Sequence, residues 1–192
     1  MLISGPAGSG KTTLCDRLTA AFPQEIARAV TCTTRAPRGN EQHGIDYYFL
    51  SHEDFESGVA NGEFLEHARV HSNRYGVRQA QVSELLDAGK NVIINLDVQG
   101  AATLRKVAEK NLQLRAALVS VFVMPPSVEE LRSRLVGRGT DAEDEVERRM
   151  KVALDEMARV NEFDFCLVSD SRERDFERIC AIYTAAQMRV AN

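Results

Sequence analysis

The run Gly5-Pro6-Ala7-Gly8-Ser9-Gly10-Lys11-Thr12 constrains this chain more than any other stretch. It satisfies G-x-x-x-x-G-K-[ST], with an apolar strand stub (Leu2–Ser4) before it and a helix-like stretch (Lys11 to Phe22, running into Pro23) after it. In that context the glycines let backbone N–H groups close around phosphate oxygens, and the helix turns its positive N-terminal end to the anion. Lys11 reaches terminal phosphate oxygens, Thr12 can offer its hydroxyl to Mg²⁺, and Thr13 completes the expected triphosphate-binding set.

Around this loop the chain alternates short apolar runs with helical stretches, the pattern of a parallel sheet covered on both faces. Strands are predicted at Leu2–Ser4, Ala27–Thr31, Asn91–Asp97, Leu118–Met124 and Phe165–Val168. Helices are predicted over Gln79 to Ala88, ended by Gly89, after the capping box Ser127-Val128-Glu129-Glu130, over Glu143 to Glu162, and over Arg172 to Val190. From Arg35 to Gly76 the alternation breaks: a Gly/Pro/Asn-rich loop, a strand at Tyr47–Leu50, a short helix begun by Ser51, and a strand at Phe64–Val70 form a small mixed insertion. The strand Val92–Leu96 leads into Asp97, a carboxylate placed to orient Mg²⁺ through water.

Composition narrows the partners. The 192 residues carry Lys+Arg 24 against Asp+Glu 28, a formal charge of −4, which argues against a surface that coats nucleic acid. Of the basic residues 19 are Arg and 5 Lys, a skew toward the side chain that grips phosphate bidentately. Ala116 to Met124, the longest apolar run, is about half a membrane span, and the N-terminus has neither a basic nor an apolar signal region. Four scattered cysteines fit free thiols in a reducing compartment, so a cytoplasmic setting without a membrane partner is expected. His67 and His71 are four apart but fall in a strand-like segment, so no structural metal site is expected.

Thr33-Thr34-Arg35-Ala36-Pro37-Arg38, with Glu41, Gly44, Asp46, Tyr47 and Phe49, resembles the acceptor-binding signature of guanylate kinases. The resemblance continues through Gly62 to Ala68, Tyr75-Gly76, Asp97-Val98-Gln99-Gly100, Pro125-Pro126-Ser127 and Arg134 to Thr140. It implies a P-loop NTPase α/β fold, three-layer α/β/α with a central parallel sheet, a small mixed α/β GMP-binding insertion and a lid. Its reaction is ATP + GMP → ADP + GDP with Mg²⁺, within purine nucleotide metabolism. One domain over 1–192 is expected, with core 1–32, 78–126 and 162–192, GMP-binding insertion 33–77 and lid region 127–161.

The resemblance assigns Arg35 and Arg38, helped by the hydroxyls of Tyr47 and Tyr75, to the GMP phosphate, and Arg138 and Arg149 to the transferring group. Lys11, Arg38, Arg138 and Arg149 form the catalytic set. Glu66 reads guanine, whose N1–H and 2-amino group match one carboxylate; Thr31 and Asp97 sit beside the base, and Thr12 and Asp97 serve the metal. Glycines 137 and 139 are expected to hinge the lid over both nucleotides. Three positions depart from the usual pattern: Val77 for a hydroxyl residue, Asn95 for an acid, and Ser169 for an Asn near adenine. Two other readings stay open on sequence: a ribose 1,5-bisphosphate kinase-like enzyme, favoured by Val77 and Asn95, and a non-catalytic binding module of the same fold. Fewer residues precede Gly5 than in relatives, and the sequence sets neither a start further upstream nor an oligomeric state.

Overall fold

A computed structural model describes residues 1–70, 72–136 and 143–189. Its centre is a parallel sheet ordered β2-β7-β1-β8-β9, made of β1 (Leu2–Ser4), β2 (Ile26–Arg28), β7 (Asn91–Asn95), β8 (Ser120–Met124) and β9 (Phe165–Val168). Every ladder in it is parallel, with Leu2 opposite both Ile94 and Ser120. Alternation along the strands sorts side chains to two faces. Ile3, Ile93, Val121, Val123 and Leu167 pack on one side with residues of α1 (Lys11–Ala21) and α8 (Arg172–Gln187). Leu2, Val92 and Ile94 face the other side, with Val82 of α3 (Gln79–Asp87) and Ala101 and Leu104 of α4 (Val98–Glu109). Buried on both faces, such a sheet needs the continuous apolar strands seen here, and the result is the expected three-layer α/β/α core.

Because β1 lies in the middle, the loop from Gly5 leaves the carboxyl end of the central strand, where open α/β sheets bind ligands. Of Ala27–Thr31, expected as one strand, only Ala27 and Arg28 are in a strand, and residues 29–31 lead out of the parallel sheet. β2 ends in the parallel sheet at Arg28, and the chain re-enters a second, mixed sheet as β3 (Cys32–Thr33). That smaller sheet, ordered β4-β3-β6-β5, adds β4 (Tyr48–Phe49), β5 (Phe64–Val70) and β6 (Asn73–Arg78), with α2 (His52–Ala60) alongside. Ser51 caps α2 by accepting the N–H of Asp54, as its spacing predicts.

After the core, α5 (Leu112–Ala117) follows α4 before β8, and α6 (Val128–Val136) and α7 (Glu143–Met157) form a helical pair. Ser127 accepts the N–H of Glu130 at the start of α6. The pair has its own apolar seam of Leu131, Leu135, Val146, Met150 and Ala153. The helix expected to reach Glu162 stops at Met157; a 3-10 turn occupies Val160–Glu162. Glycines 137 and 139, the expected hinge, and His71 lie outside the described residues. Among the described residues no helix is long and apolar enough to cross a membrane.

Candidate active site

Between the parallel sheet, the small sheet and α7 lies a cleft of about 660 Å³. Its floor is the glycine loop. Gly5 has φ 140°, and a β-carbon there would sit 2.4 Å from the carbonyl oxygen of Val123, so only glycine lets the loop pass this close to β8. Lys11 Nζ donates to the carbonyls of Gly5 and Pro6 at 2.8 and 2.9 Å, which ties the first turn of α1 back across the loop. Gly5, Ala7, Gly8, Gly10, Lys11, Thr12 and Thr13 line the cleft; Pro6 and Ser9 are buried behind it and act on the loop's shape instead.

The small sheet supplies one wall. Arg38, Tyr47 and Tyr75 line it, with the two tyrosine rings edge to face at 6.3 Å. Arg35, assigned alongside Arg38, is placed differently: it is 9% exposed and does not line the cleft. Its guanidinium lies 5.3 Å from the Tyr47 ring centre and pairs with Glu41 at 3.0 Å. Glu41 also accepts the main-chain N–H of Arg38 at 2.7 Å, so one carboxylate organises both arginines. Burial alone would raise the Glu41 carboxyl; Arg35 and that N–H hold it below its ordinary value. Glu41 was legible as part of the motif, but its role needed the loop's folded shape.

At the far end of this wall stands Glu66. It is 2% exposed, and neither carboxylate oxygen has a hydrogen-bond partner among the described residues. Burial, and then the nearby Asp97 carboxylate, push its carboxyl up to about 8. Thr31 is buried and lines the same end. Asp97 lies in the cleft lining as the N-cap of α4: its Oδ1 accepts the N–H groups of Gln99 and Gly100, both at 2.8 Å, leaving Oδ2 for a ligand. Asn95, one turn of strand earlier, approaches the Thr12 hydroxyl at 3.5 Å through Nδ2. Val77, counted as a lost hydroxyl near the base, is fully buried in the apolar cluster of Leu2 and Val92 and does not line the cleft.

The opposite wall is α7. Arg149, Val152, Ala153 and Glu156 recur at helical spacing and all line the cleft, so one stripe of α7 faces the loop. Arg149 Nε donates to Glu145 at 3.1 Å, an i,i+4 pair. Arg138 lies outside the described residues. Two lining residues carried no assigned role in the sequence reading, although the first of them opens one of its motifs. Arg134 of α6 donates to the Gly8 carbonyl at 3.4 Å and to Glu130 at 2.9 Å. Glu156 is raised to about 7 by burial, opposed by Lys11 and reinforced by Asp97. Its spacing of seven from Arg149 was the available signal. Beyond the loop the cleft ends at Ser169 and Asp175, where the Ser169 hydroxyl donates to Asp175 at 2.7 Å and is thereby engaged.

The cleft thus joins a cationic phosphate cradle to a second cationic patch, with an unpartnered carboxylate beyond it. Proteins of known kind share this plan. The Guanylate kinase family model matches residues 1–186. The chain is 40% identical over 189 residues to a guanylate kinase of Campylobacter jejuni (strain RM1221), covering 98% of this chain and 89% of that one. It is 41% identical over 189 residues to one of Alkalilimnicola ehrlichii, with the same two coverages. The crystal structure of guanylate kinase from Anaplasma phagocytophilum superposes with a TM-score of 0.78 at 34% identity, over 99% of this chain and 86% of that one.

Proposed function

The chain belongs to the guanylate kinase family and is an ATP:GMP phosphotransferase; we propose the following division of work among its residues. ATP lies with its phosphates over Gly5–Thr13, and GMP lies along the small sheet with its base at Glu66 and its phosphate toward Arg38, Tyr47 and Tyr75. The acceptor is already an ionised phosphate, so no general base is needed, and catalysis is positioning plus charge neutralisation. Two nucleotides bring roughly six negative charges, and at an effective dielectric near 20 two like charges 4 Å apart repel by about 4 kcal/mol. Lys11, Arg38, Arg149 and Arg138 offset that repulsion, with Arg35 and Glu41 holding the Arg38 loop in shape.

Mg²⁺ fits this residue set. The ion keeps several waters and takes one or two protein groups plus phosphate oxygens. The Thr12 hydroxyl and Asp97 Oδ2 would hold it, the latter through water, and when bound it neutralises phosphate charge. Asn95, beside Thr12, makes that shell one negative charge poorer than an aspartate would. A cytoplasmic place in purine nucleotide metabolism is part of the same reading.

The observation that carries GMP as acceptor is Glu66: two buried acceptors with no donor among the described residues, at the end of a phosphate-binding cleft. Guanine presents two parallel donors, N1–H and the 2-amino group; adenine offers neither there and would leave the carboxylate unpaired. A coupled ADP-release assay with GMP, dGMP, AMP, UMP and ribose 1,5-bisphosphate tests it. Turnover confined to the guanine nucleotides is expected. Turnover with the sugar bisphosphate and none with GMP would overturn the reading.

A further inference from the structure

Glu66 poses a problem that its own hydrogen bonds do not solve. A carboxylate that accepts two parallel donors must hold its plane, yet the terminal torsion of Glu is broad and soft. With no donor on either oxygen, nothing polar among the described residues sets that plane. The position where Gly100 lacks a side chain is aimed at the carboxylate. A β-carbon at this position would lie 3.0 Å from Glu66 Oε2, 3.5 Å from its Cδ and 3.4 Å from the Leu96 β-carbon. Gly100 sits in the first turn of α4, where its N–H is fixed on Asp97 Oδ1. It is buried, and its φ lies outside the left-handed range, so the backbone there does not require glycine. Glycine is among the poorest helix formers, so its place in α4 works against the helix. The close approach to Glu66 is what it gains.

We propose that Gly100 is a positioning residue for acceptor-base recognition: lacking a side chain, it lets α4 pack directly on the Glu66 carboxylate and fix its plane for the two guanine donors. Glu66 itself stands on β5 opposite Val77, just after an irregularity in the ladder between Phe64 and Glu66, and it lines the cleft. The carboxylate, rooted in the small sheet, is bordered by α4 at this point, and one added methyl group at position 100 tilts or displaces it. The inference rests on Glu66 as the guanine reader.

Two measurements on the full chain test it. The first is kcat/KM for GMP against IMP, which keeps N1–H and lacks the 2-amino group. In Gly100→Ala the GMP:IMP ratio should fall at least tenfold while KM for ATP moves less than twofold; in a Glu66→Gln background the same change should leave the ratio unaltered. The second is the melting temperature, which needs no substrate. Gly100→Ala should lower it in the native background and raise it in the Glu66→Asp background, where the shorter acid withdraws and the gain in helix propensity shows. A GMP:IMP ratio within twofold of the native protein, or melting shifts equal in the two backgrounds, overturns the proposal. Absence of GMP turnover in the native protein strikes the acceptor assignment instead, and the melting cycle still decides whether Gly100 bears on Glu66.

Discussion

A buried carboxylate without a donor is costly to fold around, and at Glu66 that cost has measurable consequences. In the empty protein its carboxyl, at about 8 instead of 4.5, holds a proton at neutral pH. Guanine donors need the charged form, so GMP must displace that proton. KM for GMP should be flat above pH 8 and rise by up to about tenfold per unit as pH falls below it. Measurements kept above pH 6.5 avoid the phosphate's own titration, near 6. Glu66→Gln should raise KM for GMP about a hundredfold, leave KM for ATP nearly unchanged and remove the slope; a slope that survives would place the proton elsewhere. The sign for stability is the reverse of a salt-bridged acid's. The folded carboxyl lies above its unfolded value, so between 4.5 and 8 the folded state binds more protons and loses stability as pH rises. Glu66→Gln should accordingly melt higher than the native empty protein at pH 8, by roughly 2–4 °C for each kcal/mol relieved.

At the scale of elements, α7 combines two jobs that its sequence blurs. Val146, Met150 and Ala153 bury one side of it against Leu131 and Leu135 of α6, while Arg149, Val152 and Glu156 face the cleft beside Ala153. The helical pair therefore packs on its own seam, and its grip on the rest of the site is largely polar, through Arg134 to Gly8 and Arg149 into the cleft. An arginine presented this way contributes most when charge passes between the two phosphates and less when either nucleotide is simply bound. Arg149→Ala should lower kcat about a hundredfold and change both KM values less than about threefold. Steady-state kinetics with each substrate varied in turn checks this. A rise in KM for ATP at unchanged kcat would make Arg149 a binding residue only. The ion pairs Arg132–Glu147, on exposed side chains, and Arg148–Glu145, with Glu145 half-buried, contribute little by comparison.

Across the whole molecule, what the sequence made legible was what depends on local order. The glycine loop, the apolar strands around it and the Ser51 and Ser127 caps follow from spacing, and the structure places them as spaced. What stayed hidden depends on the chain changing partners. Ala27–Thr31 is uniformly strand-like, yet its ladder ends at Arg28, and the next strand, Cys32–Thr33, belongs to the other sheet. The strand β6 begins with Asn73 and Arg74 and holds Gly76, so its pattern is not that of a strand; pairing with β5 makes it one. Glu156 had only its spacing of seven from Arg149 to mark it in a highly charged stretch, and its place near Lys11 and Asp97 sets it apart in the fold. The cations proposed to serve the reaction also lie on three separate parts: Lys11 at the start of α1, Arg38 in the loop that follows β3 and Arg149 on α7. None of the three can neutralise both nucleotides alone, so only bringing the walls together sets them around one transferring group and excludes the water that would otherwise accept it. On the proposed placement each ligand would bridge a different pair of these parts, ATP joining the loop to α7 and GMP the small sheet to the core, so full closure would require both. The radius of gyration in solution scattering should fall most with GMP and a non-hydrolysable ATP analogue together, and amide exchange over 143–157 should slow under the same condition. Equal values with and without the pair of ligands would mean that the cleft is already in its working shape.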